Sequence, residues 1–462
     1  MAKENNLAQD PVGSLVWRIA LPSMLAQFVN VLYSIVDRMY VGNIAGTGSL
    51  ALAGVGICGP IVTMIGSIAS LVGVGGAPMM SIQLGAGHRE HARKILSNAF
   101  LLMTVFSITV TLILVPLQEP MLRLFGASNS TLPYALDYFS IYLCGTLFAL
   151  MASGMNQFII CQGFAVTGMK SVILGAVCNI ALDPVFIFGL GMGVRGAALA
   201  TILSQAASAL YVLHFLFGPR TGVRIGFGGY DLRTMGRILL MGFTPFVIIA
   251  VDNVMIIAMN ALLQRYGGVQ GDMLVTANAI VQSFMLVLTM PLGGISGGTQ
   301  SILSYNYGAN QPDRVLKAQR YIAGLCVGFS AMMFLLARAA GPLFTSMFTG
   351  DPQVAEIAQR AIRISTLSVI PLGVQYAIVD GFTAMGQVQL SLPLSFWRKI
   401  VYFVAIFALP AAFGAEAAFY AEPVSDFIGP LTSLAIYLLC IRKVLSYGRR
   451  VVLPEQRKST AK

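Results

Sequence analysis

The chain has 462 residues, 56% of them hydrophobic and only 10% charged, with a mean hydropathy of +0.78 and a formal net charge of +11. A soluble domain carries about 25% charged residues, so this composition excludes an ordinary soluble enzyme and indicates a polytopic membrane protein. The positive balance needs no nucleic-acid partner, because bases at the cytoplasmic ends of membrane helices account for it.

A crossing helix needs roughly 20 mostly apolar residues. In chain order the sequence predicts twelve, at about 15–41, 50–82, 95–117, 134–162, 169–189, 195–217, 237–265, 272–304, 318–342, 358–386, 393–413 and 416–441. The two longest extend beyond the bilayer or tilt. Residues 1–14 read as a cytoplasmic tail without a cleavable signal pattern. Residues 15–217 form a first lobe of six helices, and 237–445 a second. A polar linker at 218–236, with Gly222, Gly226, Gly228 and Gly229, divides them. A basic tail covers 446–462.

With both termini placed inside, 22 of the 29 Lys and Arg fall in cytoplasmic tails and loops, Arg398 and Lys399 among them. That bias fixes the orientation. Cys58, Cys144, Cys161, Cys178, Cys326 and Cys440 are scattered through apolar segments with no CxxC, which indicates neither a metal site nor a disulfide framework.

The chain is written twice. Residues 22–100 and 245–323 match at an offset of 223: Pro22 with Pro245, Gly75 with Gly298, Gly85-Ala86 with Gly308-Ala309. Six helices per half make this a parallel repeat, with a pseudo-two-fold axis along the membrane normal and a central cleft suited to alternating access. Gly73, Gly75 and Gly76, and Gly293, Gly294, Gly297 and Gly298, serve close helix packing.

Three soluble-enzyme motifs fail. Gly54-Val-Gly-Ile-Cys-Gly59 lacks the preceding strand that a dinucleotide site requires. Gly163–Ser171 has Met169 where a phosphate-binding loop needs its Lys. His88 and His91 have no third ligand nearby. The sequence therefore predicts no enzyme, no nucleotide and no cofactor.

The acids do not repeat: Asp37 faces Asn260, and Asp183 faces Ile406. An ionisable group in the bilayer is costly and is a functional candidate by default. Asp37 and Asp183 both lie near the outer ends of outward-running helices. Asn179 shares a face with Asp183, and Thr201 on the returning helix reaches a similar depth. Pro184 lacks an N–H and frees the Ile180 carbonyl. These oxygens suit Na⁺, and two adjacent carboxyls can instead share H⁺. The bland alternatives are an Asp37–Arg38 pair and a capping role for Asp183. Asp252, Asp380, Glu422 and Asp426 attract a cationic substrate or carry a second proton, or else pair with Arg398 or Lys399 or lie at water-facing helix ends. The amides Asn30, Asn156, Gln157, Gln282 and Gln375 line a wet cleft or join helices.

Four stretches resemble the multidrug and toxic compound extrusion (MATE) family in its bacterial MepA-like branch: Ser34-Ile-Val-Asp-Arg-Met-Tyr-Val-Gly42, Asn179-Ile-Ala-Leu-Asp-Pro-Val-Phe-Ile-Phe-Gly189, Gly193-Val-Arg-Gly-Ala-Ala-Leu-Ala-Thr201 and Tyr305-Asn-Tyr-Gly-Ala309. The resemblance covers nearly the whole chain. It implies export of organic, mostly cationic compounds in antiport with H⁺ or Na⁺, by a monomer in the bacterial inner membrane. It places the cation site at Asp37, Asn179, Asp183 and Thr201; the charges and amides at membrane depth, read by themselves, put the substrate in a cleft bordered by Asn30, Asn156, Gln157, Asp252, Gln282, Gln375, Asp380 and Glu422. Two features depart from the family pattern. Gln375 stands about where some members carry an acid, and Asp380 and Glu422 stand where uncharged residues are expected. The rival readings are a flippase for a lipid-linked precursor, which wants a more cationic cleft, and a membrane protein that transports nothing.

Overall fold

The computed structural model describes residues 5–459, with side chains through residue 446. Among the described residues every regular element is helical. The first half holds α1 (Val12–Gly42), α2 (Gly48–Gly85), α3 (Arg89–Leu124), α4 (Leu132–Cys144), α5 (Thr146–Leu150), α6 (Asn156–Cys161), α7 (Ala165–Pro184) and α8 (Val194–Phe217). The second half holds α9 (Leu232–Gly267), α10 (Gly271–Gly308), α11 (Pro312–Ala339), α12 (Gly341–Ser346), α13 (Pro352–Ser365), α14 (Val369–Ala384), α15 (Val388–Phe413) and α16 (Ala421–Ser459). Lys3 and the side chains of the basic tail at 447–462 lie outside the described residues.

Among the described residues, nine runs are long and apolar enough to cross a membrane, and two bent helix pairs raise that to eleven. One of the nine, Leu232–Gly308, is 77 residues long. It folds back on itself, because Asn278 Nδ2 donates to Asn260 Oδ1 at 2.8 Å across 18 residues. On one straight helix that separation would span about 27 Å. α9 and α10 are therefore two crossings, and the expected twelve are present as six per half. α2 and α10 each have 38 residues, roughly 57 Å of helix against a hydrocarbon core of about 30 Å.

The helices expected at 134–162 and 358–386 are not continuous. They bend by 65° after Cys144 and by 52° after Ser365. At the first break a Cβ on Gly145 would lie 2.4 Å from Ile202, so α8 packs directly on the bare backbone. At the second, the Thr366 hydroxyl donates back to the Ile362 carbonyl at 2.7 Å, a local bond that helps end the helix. The first break lies in a segment that is apolar on most sides, where periodicity gives no warning; the second follows the amphipathic α13, which carries Glu356, Arg360 and Arg363.

Contacts group the chain into two compact units, one built on Leu25–Ile249 and the other on Leu7–Met24 with the chain from Ala250 onward. Within the first, α9 meets α2 backbone to backbone: a Cβ on Gly242 would be 1.7 Å from the Leu71 carbonyl oxygen. Within the second, α10 presses its backbone onto a short α1 side chain, and a Cβ on Gly298 would be 2.2 Å from Ser23 Oγ. Only glycine permits such approaches. They explain why the opening part of α9 groups with the first unit and that of α1 with the second.

The Gly-rich linker is bonded along its length. Val223 N donates to Gln162 Oε1 at 2.8 Å and Ile225 N to the Leu216 carbonyl at 3.1 Å. Asp231 then caps α9, accepting from Arg233 N at 3.1 Å and Thr234 N at 3.0 Å. Hydrogen bonds from the Thr234 hydroxyl and then the Arg233 N–H hold this carboxyl below its usual range. In the second unit Arg314 ties down the start of the chain, donating to the Leu7 and Asp10 carbonyls at 3.2 and 2.9 Å.

Candidate functional site

The Asp183 region is shaped by one proline. Pro184 has no N–H to continue the ladder, and the backbone passes into a single π-turn, Val185–Gly189. A second π-turn, Met151–Met155, leads into Asn156. π-turns recur at functional sites. Both of these flank the residues in question, and the second half has none among its described residues.

The first unit brings Asp37, Asn179, Asp183 and Thr201 together, all buried. Asn179 Nδ2 donates to Asp183 Oδ1 at 3.4 Å. The Asp37 and Asp183 carboxyls lie within hydrogen-bonding reach of each other. Asp37 Oδ1, Asp183 Oδ2 and Asn179 Oδ1 are buried without a donor. Buried oxygens left unmatched are costly, and a shared proton or a small hard cation would satisfy several at once. All the available ligand atoms are oxygens, which suits Na⁺. Arg38 is exposed, and no ion pair joins it to Asp37 among the described residues.

A cavity of ≈160 Å³ adjoins these residues, bordered by Asn30, Tyr33, Asn156, Gln157, Asn179, Thr201 and Gln205. The sequence divided Asn30, Asn156 and Gln157 from Asn179 and Thr201, as substrate cleft and ion site. All five border one cavity. The structure also adds residues the sequence reading passed over. Tyr33 lies beside both acids, Tyr138 lies beside Thr201, and Tyr142 beside Gln205. A signal was available: Tyr33 is one turn before Asp37, and Tyr138 and Tyr142 are one turn apart.

The remaining candidates lie in the second unit, where charge pairs with charge. Arg398 Nη1 donates to Asp426 Oδ1 at 2.7 Å, with the two side chains 20% and 1% exposed. Lys399 forms an ion pair with Asp252. Glu422 sits in the field of Asp426, Arg398 and Lys399. Asp380 lies beside Ser296 and Gln300, and Gln375 Nε2 reaches the Leu394 carbonyl at 3.5 Å. Gln282 is half-buried on α10. Arg398 and Lys399 are therefore not inner-loop bases, as the charge count had them. They sit well inside α15, where the buried Asp426 on α16 and the half-exposed Asp252 on α9 receive them. For Asp252 and Asp426, of the two alternatives, the structure shows the pairing.

The MatE family model matches residues 22–185 and again 247–408. The chain belongs to the MatE family. The two matches fall one in each half, as the duplication requires. Among curated MatE-like relatives, the multidrug export protein MepA of Staphylococcus haemolyticus is 24% identical over 399 residues, covering 86% of each chain. An FAD transporter of Shewanella oneidensis is 25% identical over 454 residues, 96% of this chain and 97% of that one. In fold, the chain resembles an outward-facing multidrug-resistance MATE transporter of the MOP superfamily, with a TM-score of 0.88 and 21% identity over 97% of this chain and 100% of that one. It likewise resembles a MOP-superfamily transporter from Pyrococcus furiosus, with a TM-score of 0.89 and 22% identity over 96% and 99%. The MatE assignment makes this a multi-pass membrane protein of a multidrug-efflux transporter family.

Proposed function

We propose that the protein exports organic cations across the bacterial inner membrane, both termini in the cytoplasm, by alternating access in antiport with H⁺ or Na⁺. The observation that carries this reading is the Asp37/Asp183 pair, with three unmatched buried oxygens around it. An ion entering there satisfies those oxygens in one conformation, and substrate loading follows its departure. Each ligand has to bind the two states unequally, since equal affinity shifts no population. Expression in an efflux-deficient bacterium tests the reading. Raised tolerance to ethidium, abolished by Asp37→Asn at unchanged protein level, supports it. Unchanged tolerance with full expression overturns it. Transport into vesicles under a Na⁺ gradient alone, and then a pH gradient alone, identifies the ion.

A second reading has its own support. The FAD-transporting relative matches almost the whole chain, and the second unit holds Arg398 and Lys399 among its buried charges. Under this reading an anionic flavin nucleotide is the cargo. Flavin release from the same cells, lost in Lys399→Met, separates it from cation export.

A further inference from the structure

α3 and α11 are counterparts in the repeat, but different things cover their opening turns. In the first unit the linker lies along α3. Gly226 N donates to Ser97 Oγ at 3.1 Å, Asp231 N to Asn98 Oδ1 at 2.9 Å, and Asn98 Nδ2 to the Gly229 carbonyl at 3.4 Å. At 223 residues further on, Ser97 and Asn98 become Arg320 and Tyr321, while Lys94 remains basic as Lys317. There the face is open. A groove of ≈510 Å³ is bordered by Asp313, Leu316, Lys317, Arg320 and Tyr321. Two short side chains that hold a backbone have been exchanged for a cation and an aromatic ring.

The chemistry of this groove is that of a headgroup site. Neither Lys317 nor Arg320 is in a salt bridge among the described residues. Tyr321 is 45% exposed and rests on α1, its Cζ 3.1 Å from where a Cβ on Gly13 would stand. Trp17, one helical turn beyond Gly13, is 56% exposed. Half-exposed Tyr and Trp beside Lys and Arg mark the level of lipid headgroups, and clustered bases there attract anionic lipid. By chain order the segment after residue 446 is the linker's counterpart. It carries Arg449, Arg450, Arg457, Lys458 and Lys462 against Glu455 alone, so its charge opposes docking on Lys317 and Arg320.

We propose that the α11 groove binds the headgroup of an anionic phospholipid, its phosphate between Lys317 and Arg320 and its glycerol region against Tyr321. This goes beyond the export reading and needs only that the chain spans a membrane. The test uses the full chain in detergent, with the thermal unfolding midpoint followed as dihexanoyl-phosphatidylglycerol, dihexanoyl-phosphatidylcholine or inorganic phosphate is added. Phosphatidylglycerol is expected to raise the midpoint saturably, and the other two are not. The Lys317→Gln/Arg320→Gln variant is expected to keep its lipid-free midpoint but to need about tenfold more phosphatidylglycerol for the same rise. An Arg442→Gln/Lys443→Gln variant, altered at exposed bases elsewhere, is expected to respond like the parent. An equal response in the groove variant, an equal loss in the control variant, or the same shift with inorganic phosphate would each overturn the proposal. No transport enters this measurement, so its failure is separate from failure of the export reading.

Discussion

The two halves share a backbone plan but fill corresponding space in opposite ways. In the first unit Gly175, Ala176, Asn179, Thr201, Gln205 and Ser208 border a polar cavity. Their counterparts are Arg398, Lys399 and Tyr402 at an offset of 223, and Glu422, Asp426 and Gly429 at 221. The contact between these helices is kept with the sizes exchanged. A Cβ on Gly175 would meet Ser208 Oγ at 2.4 Å, and one on Gly429 would meet Arg398 Cγ at 2.9 Å. Where the first unit has a glycine and leaves room, the second has an arginine and closes an ion pair with Asp426. A duplicated scaffold thus yields one region where two buried acids face each other without a cation among the described residues and another where Asp252 and Asp426 each face one, although Asp426 Oδ2 is unmatched too. Under the proposed export reading, the first would exchange an ion and the second would hold its shape.

This contrast can be broken experimentally, most forcefully in the first unit. Asp37→Asn is expected to cut ion-driven substrate flux in vesicles by more than tenfold while leaving the thermal midpoint unchanged or higher, because a neutral amide removes one buried carboxylate from a pair. A comparable loss of folding would mean that the pair is structural.

The second unit should respond in the reverse order. Arg398→Leu leaves Asp426 buried without its cation and is expected to cost about 3–5 kcal/mol of stability, read as a lower denaturation midpoint. Adding Asp426→Leu should recover much of that loss, since replacing both members of a buried pair is far less costly than removing one. If the double variant stays as unstable as the single, the pair is not the cause.

Lys399→Met sharpens the same comparison with a smaller effect. The Asp252 side chain is 43% exposed, so water can solvate the carboxylate left behind, and a loss of about 1 kcal/mol or less is expected.

The smallest effect belongs to the linker. Asp231→Ala removes the cap of α9 and should lower the thermal midpoint slightly. The Asp231 carboxyl titrates below its ordinary range in the folded chain, so its contribution is present above the unfolded value of about 3.9 and disappears as pH falls through the folded one. The gap between parent and variant should therefore hold at neutral pH and close on strong acidification.

Much of the fold was legible in the residues. Apolar runs, their number and the repeat gave twelve helices in two halves, and the rarity of acids in those runs drew attention to Asp37 and Asp183. The bends at Gly145 and Thr366 were not legible, nor were the π-turns before Asn156 and after Pro184. The segment around Gly145 and those holding the π-turns carry no periodic signal to lose where hydrogen bonding shifts, and at Thr366 the change from the amphipathic α13 to the apolar α14 went unread as a break. Arg398 and Lys399 were misplaced for a related reason: a base in the sequence looks like a loop until the acid that receives it, 28 or 147 residues away, is seen beside it.

The sequence by itself determined the class of solvent, the number of crossings, the duplication and the short inventory of groups able to carry charge through a membrane, because each follows from composition and spacing along the chain. Only the tertiary structure decided which of those groups remain available. Pairing a charge is a property of neighbours in space, so Asp37 and Asp183, with one another for company and no cation among the described residues, stand apart from Asp252 and Asp426, each of which faces a base.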